Sequence, residues 1–145
     1  MLKTLRSLRA LHVHFLPLTL AAFLLLEVTP AHADDMSAIR KTVFDYLEGI
    51  NTVDRERLER AFAPGAMMKS VSAEGELRVV PITDAIDRWT SREPGSRSGR
   101  ILSVDLHDEL ARVVFDYDGD YVDLLTLAKI QGQWRILDKA FITLD

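Results

Sequence analysis

The stretch "YVDLLTLAKI" (Tyr121–Ile130) has the apolar, β-branched composition of a buried strand. The charged residue Asp123 lies inside it, and the next strand-like stretch, "WRILDKAFITL", carries Lys139. The short polar segments "DGD" before the first stretch and "QG" between the two are typical of tight hairpins. The sequence therefore predicts an antiparallel meander at this end of the chain. The face that each charge occupies decides whether it can belong to a functional site.

The stretches that precede this meander predict three helices and four further strands. Apolar residues recur at helical spacing over residues 36–49, and Asp54 can cap a short second helix, "RERLERAF". The strands "AMMKSV" and "LRVVPI", a third helix from Thr83, and the strands "RILSVDL" and "ARVVFDY" follow. The predicted order is α-α-β-β-α-β-β-β-β. Early helices and a late meander indicate an α+β domain, with the helices on one face of a bent antiparallel sheet.

The hairpin register decides which side chains face the helices. A two-residue turn at "DG" pairs Phe115 with Val122, and one at "QG" pairs Leu124 with Lys139. This register directs Lys139 toward the helices and Asp123 to the outer face. The predicted inner face carries Val113, Phe115, Tyr117, Val122, Leu124, Thr126, Leu137, Lys139 and Phe141.

On the outer face, Asp123 would lie diagonal to Arg112 and could form a surface ion pair with it. The same face would expose a group of apolar side chains too large to leave in water, which indicates a sheet-to-sheet homodimer contact. These residues are Val114, Leu125, Leu127, Trp134 and Ile136. The alternative is a partly exposed face that long side chains cover.

An inward-facing Lys139 must be paired, lose its proton or sit in a solvated cavity. As a functional residue it would be a pocket cation for an anionic or carbonyl ligand. As a structural residue it would reach solvent at the sheet edge or pair with a helix carboxylate such as Asp45 or Glu48. The residue pattern leaves both interpretations open.

The N-terminal segment has the pattern of a secretory signal peptide. Lys3, Arg6 and Arg9 precede an apolar run over residues 15–26, and "AHA" predicts cleavage before Asp34. The prediction is therefore a signal peptide over residues 1–33, a single domain over 34–145, and a periplasmic or secreted location. The alternative is an N-terminal membrane anchor.

Charge and composition exclude several classes of function. Removal of residues 1–33 takes away three basic residues and one acidic residue, so the net charge changes from −4 to −6. That balance argues against binding to nucleic acid or to anionic membranes. Cysteine is absent, and His107 is the only histidine after residue 33. We therefore predict no disulfide, no metal site, no cofactor and no Ser-His-Asp triad.

The segment "VFDYLEGINTVDRERLERAFAPGAMM" resembles the start of the nuclear transport factor 2-like superfamily. The strands "GRILSVDL", "ARVVFDY", "YVDLLTLAKI" and "WRILDKAF" are similar to the branch called putative lumazine-binding, with the pattern YxDxLxLxKxxGxWxIxxKxF. The resemblance covers residues 36–144. It implies a cone-shaped α+β barrel with a pocket between helices and sheet, and often a dimer.

The superfamily contains ketosteroid isomerases and polyketide cyclases. Those isomerases combine a helix-1 tyrosine, a protonated carboxylic acid and a carboxylate base. The resemblance places Tyr46 at the tyrosine position, Ser70 at that of the base and Thr126 at that of the second acid. Without a carboxylate base, proton abstraction has no agent, so no catalytic residue is predicted.

These observations favour an exported, non-catalytic domain that binds a small aromatic or polycyclic molecule. Its predicted ligand-binding residues are Tyr46, Phe62, Trp89, Phe115, Tyr117, Thr126, Lys139 and Phe141. One alternative is an isomerase- or cyclase-like enzyme that uses Tyr46 and Lys139. The other is a ligand-free module that dimerises or binds another exported protein through its outer sheet face.

Overall fold

The computed structural model describes residues 30–144. Its helices are α1 (Pro30–Asn51), α2 (Arg55–Ala61) and α3 (Ile82–Thr90), and its strands are β1 (Phe62–Val71), β2 (Leu77–Pro81), β3 (Gly99–His107), β4 (Leu110–Tyr117), β5 (Tyr121–Ile130) and β6 (Gln133–Thr143). The predicted order of elements and the α+β class are confirmed. The strands form one sheet in the order β2-β1-β6-β5-β4-β3. It is mixed rather than wholly antiparallel, because β1 runs parallel to β6.

The helices pack against one face of this sheet and enclose a single apolar core. Asp54 caps α2 as predicted, since its side chain accepts a hydrogen bond from the Arg57 amide at 2.9 Å. At the other side of the core, a Cβ on Gly99 would lie 2.2 Å from Cζ of Phe115. Glycine at this position therefore lets the start of β3 approach the buried phenylalanine. The largest fully buried apolar side chains include Ile39, Val43, Leu58, Phe62, Val113, Phe115, Leu125, Leu127 and Ile136.

The hairpin between β4 and β5 differs from the two-residue turn that the sequence suggested. Residues 118–120 form a three-residue loop, so Tyr117 lies opposite Tyr121 and Phe115 lies opposite Asp123. Asp118 and Gly119 both have positive φ, at 61° and 74°. The additional loop residue shifts β5 by one position, and a shift of one position exchanges the two faces of a strand. Asp123 therefore faces the helices and is fully buried, and its predicted outer position was wrong.

Strand β6 contains an irregularity that explains why Lys139 was nevertheless placed correctly. Thr126 lies opposite Asp138 while Leu127 lies opposite Ile136, so Leu137 is an additional residue on β6. Such a bulge reverses the alternation of faces along a strand. Ile136 is buried before the bulge and Lys139 is buried after it. A regular register could not direct both residues inward.

The predicted dimer surface was also wrong in its composition. Leu125, Leu127, Trp134 and Ile136 are buried in the core of the single chain, because the shifted register turns this face of β5, and the part of β6 that pairs with it before the bulge, toward the helices. Val114 alone of the five predicted residues stays on the outer face. Dimerisation itself stays a prediction.

The charges on the outer face also pair differently from the prediction. Arg112 pairs with Asp105 of β3, at 3.1 Å, and not with Asp123. The outer face of β4 is therefore linked to β3, while Asp123 belongs to the interior.

The predicted signal peptide over residues 1–33 lies almost entirely outside the described residues. Helix α1 begins at Pro30 and continues without a break to Asn51, so it starts before the predicted residues 36–49. Within residues 30–144, no helix is long and apolar enough to cross a membrane.

Candidate functional site

A cavity of about 250 Å³ lies between helices α1 and α3 and the inner face of the sheet. Helix α1, strand β1, helix α3, the loop after α3, and strands β4 to β6 all contribute side chains to it. The lining residues are Tyr46, Ile50, Met68, Arg88, Trp89, Arg92, Arg97, Tyr117, Tyr121, Asp123, Lys139 and Phe141.

Three polar side chains at the buried end of this cavity form one hydrogen-bonded group, here called the floor triad: Tyr46, Asp123 and Lys139. The Tyr46 hydroxyl donates to Oδ2 of Asp123 at 2.9 Å. The Lys139 ammonium donates to Oδ1 of the same carboxylate and forms an ion pair with it. Only 4% of Lys139 and none of Asp123 is exposed to solvent. Tyr46 of the helix and Lys139 of a strand thus share the buried carboxylate of Asp123.

Local structure places each member of the floor triad. Tyr46 lies on the buried side of α1, with Ile39, Val43 and Leu47. The three-residue hairpin loop turns Asp123 inward, and the bulge at Leu137 turns Lys139 inward beside it.

Burial controls the protonation of the floor triad. Burial lowers the pKa of Lys139, while the neighbouring Asp123 charge and hydrogen bond oppose that change. Burial and the Asp123 charge hold the pKa of Tyr46 well above its ordinary value, so its hydroxyl remains a donor. With Lys139 protonated and Asp123 ionised, the floor carries no net charge. Among the described residues, every buried side-chain nitrogen and oxygen has a hydrogen-bond partner.

Aromatic rings form the wall between the floor and the solvent. The ring of Tyr46 lies 5.7 Å from Trp89 and 5.9 Å from Tyr117. Tyr121 lies 6.2 Å from Tyr117 and 5.8 Å from Phe141. Burial raises the pKa of Tyr117 to about 12, so this wall is neutral near pH 7. It offers flat apolar surfaces and ring edges to a planar ligand.

Three exposed arginines surround the mouth of the cavity, and they are called the arginine rim here: Arg88, Arg92 and Arg97. Arg97 pairs with Asp120 at 2.8 Å, and its guanidinium lies 5.7 Å from the ring centre of Tyr117. Arg88 and Arg92 form no side-chain hydrogen bond or ion pair with any residue from 30 to 144. In a chain with net negative charge, this mouth is a local concentration of positive charge.

Five of the eight predicted ligand-binding residues line the cavity: Tyr46, Trp89, Tyr117, Lys139 and Phe141. Phe62 and Phe115 instead lie in the core behind it, with ring centres 5.4 Å and 6.3 Å from Tyr46. Thr126 lies on the outer face of β5, since Leu125 and Leu127 on either side of it face inward.

The sequence interpretation missed Asp123 and the arginine rim. The segment "DRWTSREPGSR" brings three arginines together within ten positions, and this clustering was an available signal. The inward position of Asp123 could have been predicted only with the correct length of the loop between β4 and β5.

The positions aligned with the isomerase catalytic groups do not meet in this cavity. Ser70 lies on β1 beside Phe141 of β6, and Thr126 lies on the outer face. Asp123 supplies a carboxylate to the cavity, and its position is not one of those aligned with the isomerase catalytic groups. Tyr46 and Lys139 already occupy one hydrogen-bonding site on each of its oxygens.

The sequence profile of a family described as "Putative lumazine-binding" matches residues 34–142 of this chain. The chain belongs to the putative lumazine-binding family. The match includes every residue of the cavity described above and all of the elements except the first four residues of α1 and the last residue of β6. No curated protein gives a significant match to this chain.

Solved structures resemble the chain over most of its length. An NTF2-like protein of unknown function from Shewanella baltica OS155 is 23% identical, with a TM-score of 0.72, and the alignment covers 79% of this chain and 97% of that one. A second such protein, from Silicibacter pomeroyi DSS-3, is 24% identical, with a TM-score of 0.70 and coverages of 77% and 98%.

A ketosteroid isomerase-like protein from Erwinia carotovora atroseptica is more distant. It is 13% identical, with a TM-score of 0.57 and coverages of 77% and 98%. At these identities the likenesses show the fold alone. This chain therefore has the nuclear transport factor 2-like fold, and its activity has to be argued from its own cavity.

Proposed function

We propose that this protein is an exported domain that binds a small aromatic anion in the cavity between the helices and the sheet. The observation that carries the proposal is the arrangement of charge along the cavity. Two exposed arginines without a described partner stand at the mouth, an aromatic wall follows, and a floor with no net charge closes the other end. Ligand sites commonly combine mostly apolar walls with a few placed polar groups.

This arrangement favours one orientation of the ligand. An anionic group placed at the floor would meet the carboxylate of Asp123, which already holds the Lys139 ammonium. The same group at the mouth would meet Arg88 and Arg92, whose planar guanidinium groups can bind a carboxylate or phosphate through two hydrogen bonds. The anion therefore belongs at the rim and the rings belong against Trp89, Tyr117 and Phe141.

The size of the cavity limits the class of ligand. Its volume of about 250 Å³ lies below the roughly 300 to 1,000 Å³ typical of sites for drug-sized molecules. A compound of one or two rings fits that space better than a four-ring steroid. The family description names lumazine, a two-ring heteroaromatic compound, and supports the same class.

Export is part of the proposal and rests on the sequence. The basic n-region, the apolar run over residues 15–26 and the "AHA" pattern predict cleavage before Asp34. Fractionation of cells that express the chain, with mass determination of its N-terminus, tests this part. Recovery of the intact chain from the membrane would instead support the anchor alternative.

The binding part is tested by isothermal titration calorimetry with matched pairs of ligands. Each pair comprises an aromatic carboxylate, such as 2-naphthoate or pterin-6-carboxylate, and its neutral carboxamide. We expect at least one carboxylate to bind at least ten times more tightly than its amide. Equal affinities across all pairs, or no binding, would contradict the proposal.

The arginine rim provides the matched protein controls. The double variant Arg88→Gln/Arg92→Gln should lose the preference for the carboxylate. The double variant Arg60→Gln/Arg78→Gln removes the same charge from exposed positions that do not line the cavity, so it should bind as the parent does. If both double variants weaken binding equally, net charge rather than the rim is responsible.

A further inference from the structure

We propose that Lys139 forms a reversible imine with the carbonyl group of an aromatic aldehyde or ketone whose anionic group lies at the arginine rim. The inference rests on the proposed function for the orientation of the ligand. It adds a covalent step and a substrate class, namely an aromatic carbonyl compound that carries an anion at its far end.

The geometry of the cavity brings the reacting groups together. Arg88 and Arg92 stand at the mouth and Lys139 stands at the floor. A rigid aromatic ligand held at the rim by its anion therefore directs its opposite end toward Lys139. The Lys139 nitrogen lies 4.4 Å from the ring centre of Phe141 and 5.6 Å from that of Tyr46, so aromatic surfaces flank the amine.

Lys139 differs in burial from every other lysine in residues 30–144. The side chains of Lys41, Lys69 and Lys129 are 75%, 41% and 29% exposed, while that of Lys139 is 5% exposed. Burial favours the neutral amine, which is the nucleophilic form, although the neighbouring Asp123 carboxylate opposes this change. The direction of the Lys139 pKa, which burial lowers, agrees with this argument.

Asp123 is placed to carry protons in the reaction. The Lys139 ammonium gives one proton to Oδ1 of Asp123, and the free amine attacks the carbonyl carbon while the carbonyl π electrons move to oxygen. A second proton passes from the nitrogen to that oxygen and gives the neutral carbinolamine. Asp123 then returns its proton to the hydroxyl group, which leaves as water, and the nitrogen lone pair forms the C=N bond. The net change converts an ammonium and an aldehyde to a protonated imine and water, with no oxidant or reductant.

The charge balance of the floor favours an imine over other modifications of the amine. A protonated imine keeps one positive charge beside Asp123, so the buried carboxylate remains paired. Acylation of Lys139 would remove that charge and leave a buried carboxylate without a counter-ion, which is costly. Of these two modifications, only the imine leaves the Asp123 carboxylate paired with a positive charge at Lys139.

The test uses 4-formylbenzoate as the probe, with sodium borohydride to reduce any imine to a stable amine. Peptide mass spectrometry then compares labelling of Lys139 with labelling of the exposed Lys41 in the same sample of the purified protein. We expect labelling at Lys139 to exceed that at Lys41 by at least tenfold. Labelling at Lys139 equal to or below that at Lys41 would overturn the inference, and this comparison requires no variant.

Two further measurements separate this inference from the proposed function. The alcohol 4-(hydroxymethyl)benzoate has the same ring and anion but cannot form an imine, and its affinity is measured by calorimetry. If it binds in a manner that depends on the rim while Lys139 is not labelled, the imine fails and the binding function stands. If it does not bind and Lys139 is not labelled, both fail for this ligand class.

The variant Arg88→Gln/Arg92→Gln should reduce labelling of Lys139 and leave labelling of Lys41 unchanged. Labelling of Lys139 that the rim variant does not alter would overturn the orientation on which the inference rests. Arg60→Gln/Arg78→Gln again serves as the charge-matched control.

Discussion

The floor triad and the arginine rim lie at opposite ends of one cavity and hold their charges in opposite ways. At the floor, Lys139 and Asp123 are buried and satisfy each other, with a further hydrogen bond from Tyr46. At the rim, Arg88 and Arg92 are exposed and have no ion-pair partner within residues 30–144. A buried charge must be compensated by the fold itself, whereas water compensates an exposed one. Changes at the floor should therefore alter folding stability, and changes at the rim should alter ligand affinity.

The largest expected effect is that of Lys139→Met. This substitution leaves the Asp123 carboxylate buried with a single hydrogen bond from Tyr46 and no counter-ion. Removal of one partner from a buried ion pair typically costs about 3–5 kcal/mol, and we expect a loss in that range. Urea unfolding followed by circular dichroism gives the free energy of unfolding.

The double variant Lys139→Met/Asp123→Leu is the control for this prediction. It removes both charges and fills the site with apolar groups, which is often close to neutral for a buried pair. It should recover part of the lost stability, because the unpaired charge is removed while the buried Tyr46 hydroxyl loses its acceptor. A double variant less stable than the single one would contradict the assignment of the loss to the unpaired charge.

The next effect concerns the tyrosine of the floor triad. Tyr46→Phe removes the donor 2.9 Å from Oδ2 of Asp123 and leaves that oxygen buried without its hydrogen bond. A lost hydrogen bond to a buried charged group costs about 1.5–3 kcal/mol. Urea unfolding should show a decrease in that range.

Tyr121→Phe is the matched control for Tyr46→Phe. The hydroxyl of Tyr121 forms no hydrogen bond with any residue from 30 to 144, so its loss should change stability by less than about 0.5 kcal/mol. Equal losses for the two variants would contradict the special position of Tyr46.

At the rim we expect a small effect on stability and a larger effect on ligand affinity. Arg92→Gln should change the free energy of unfolding by less than about 0.5 kcal/mol. It should nevertheless weaken the binding of an aromatic carboxylate by about tenfold, or about 1.4 kcal/mol. Calorimetry at two salt concentrations provides the check, because exposed charges are screened by salt. A large loss of stability in Arg92→Gln would contradict the expectation that rim residues affect ligand affinity and not folding stability.

The sequence contained enough information for the fold but not for the face of every strand. Helical spacing placed Tyr46 on the buried side of α1, and turn residues marked the last two hairpins. The "DGD" segment, however, is compatible with loops of two or three residues, and local preference does not decide between them. Burial of the β5 apolar residues against the helices selects the three-residue loop, and that is a property of the whole fold.

The candidate site was predictable where it depends on helices and less so where it depends on register. Trp89 and Tyr46 follow from helical periodicity alone. Asp123 and Trp134 were placed on the wrong face because the additional loop residue exchanges the faces of β5 and of the part of β6 that pairs with it before the bulge. The arginine rim was missed for another reason. Exposed arginines in and after a helix are ordinary, and only the folded cavity shows that three of them converge on one opening.

The smallest effect that we predict concerns the pH dependence of the floor triad. Burial lowers the pKa of Lys139 in the folded state below its ordinary value of 10.5. In the pH range between the folded-state pKa and 10.5, the unfolded chain therefore binds more protons than the folded chain. Stability should therefore rise with pH in that window. The rise should be small, because Asp123 offsets much of the cost of burying the ammonium.

Tyr46 and Tyr117 act in the opposite direction above their ordinary value of 10.0, because burial raises the pKa of each. The unfolded chain loses these protons first, so stability falls as the pH increases further. Urea unfolding across the alkaline range should thus show a shallow maximum near that value. Lys139→Met/Asp123→Leu should lack the rise, and Tyr46→Phe should keep only the part of the fall that Tyr117 causes. A rise that survives in the double variant would assign it to a group outside the floor triad.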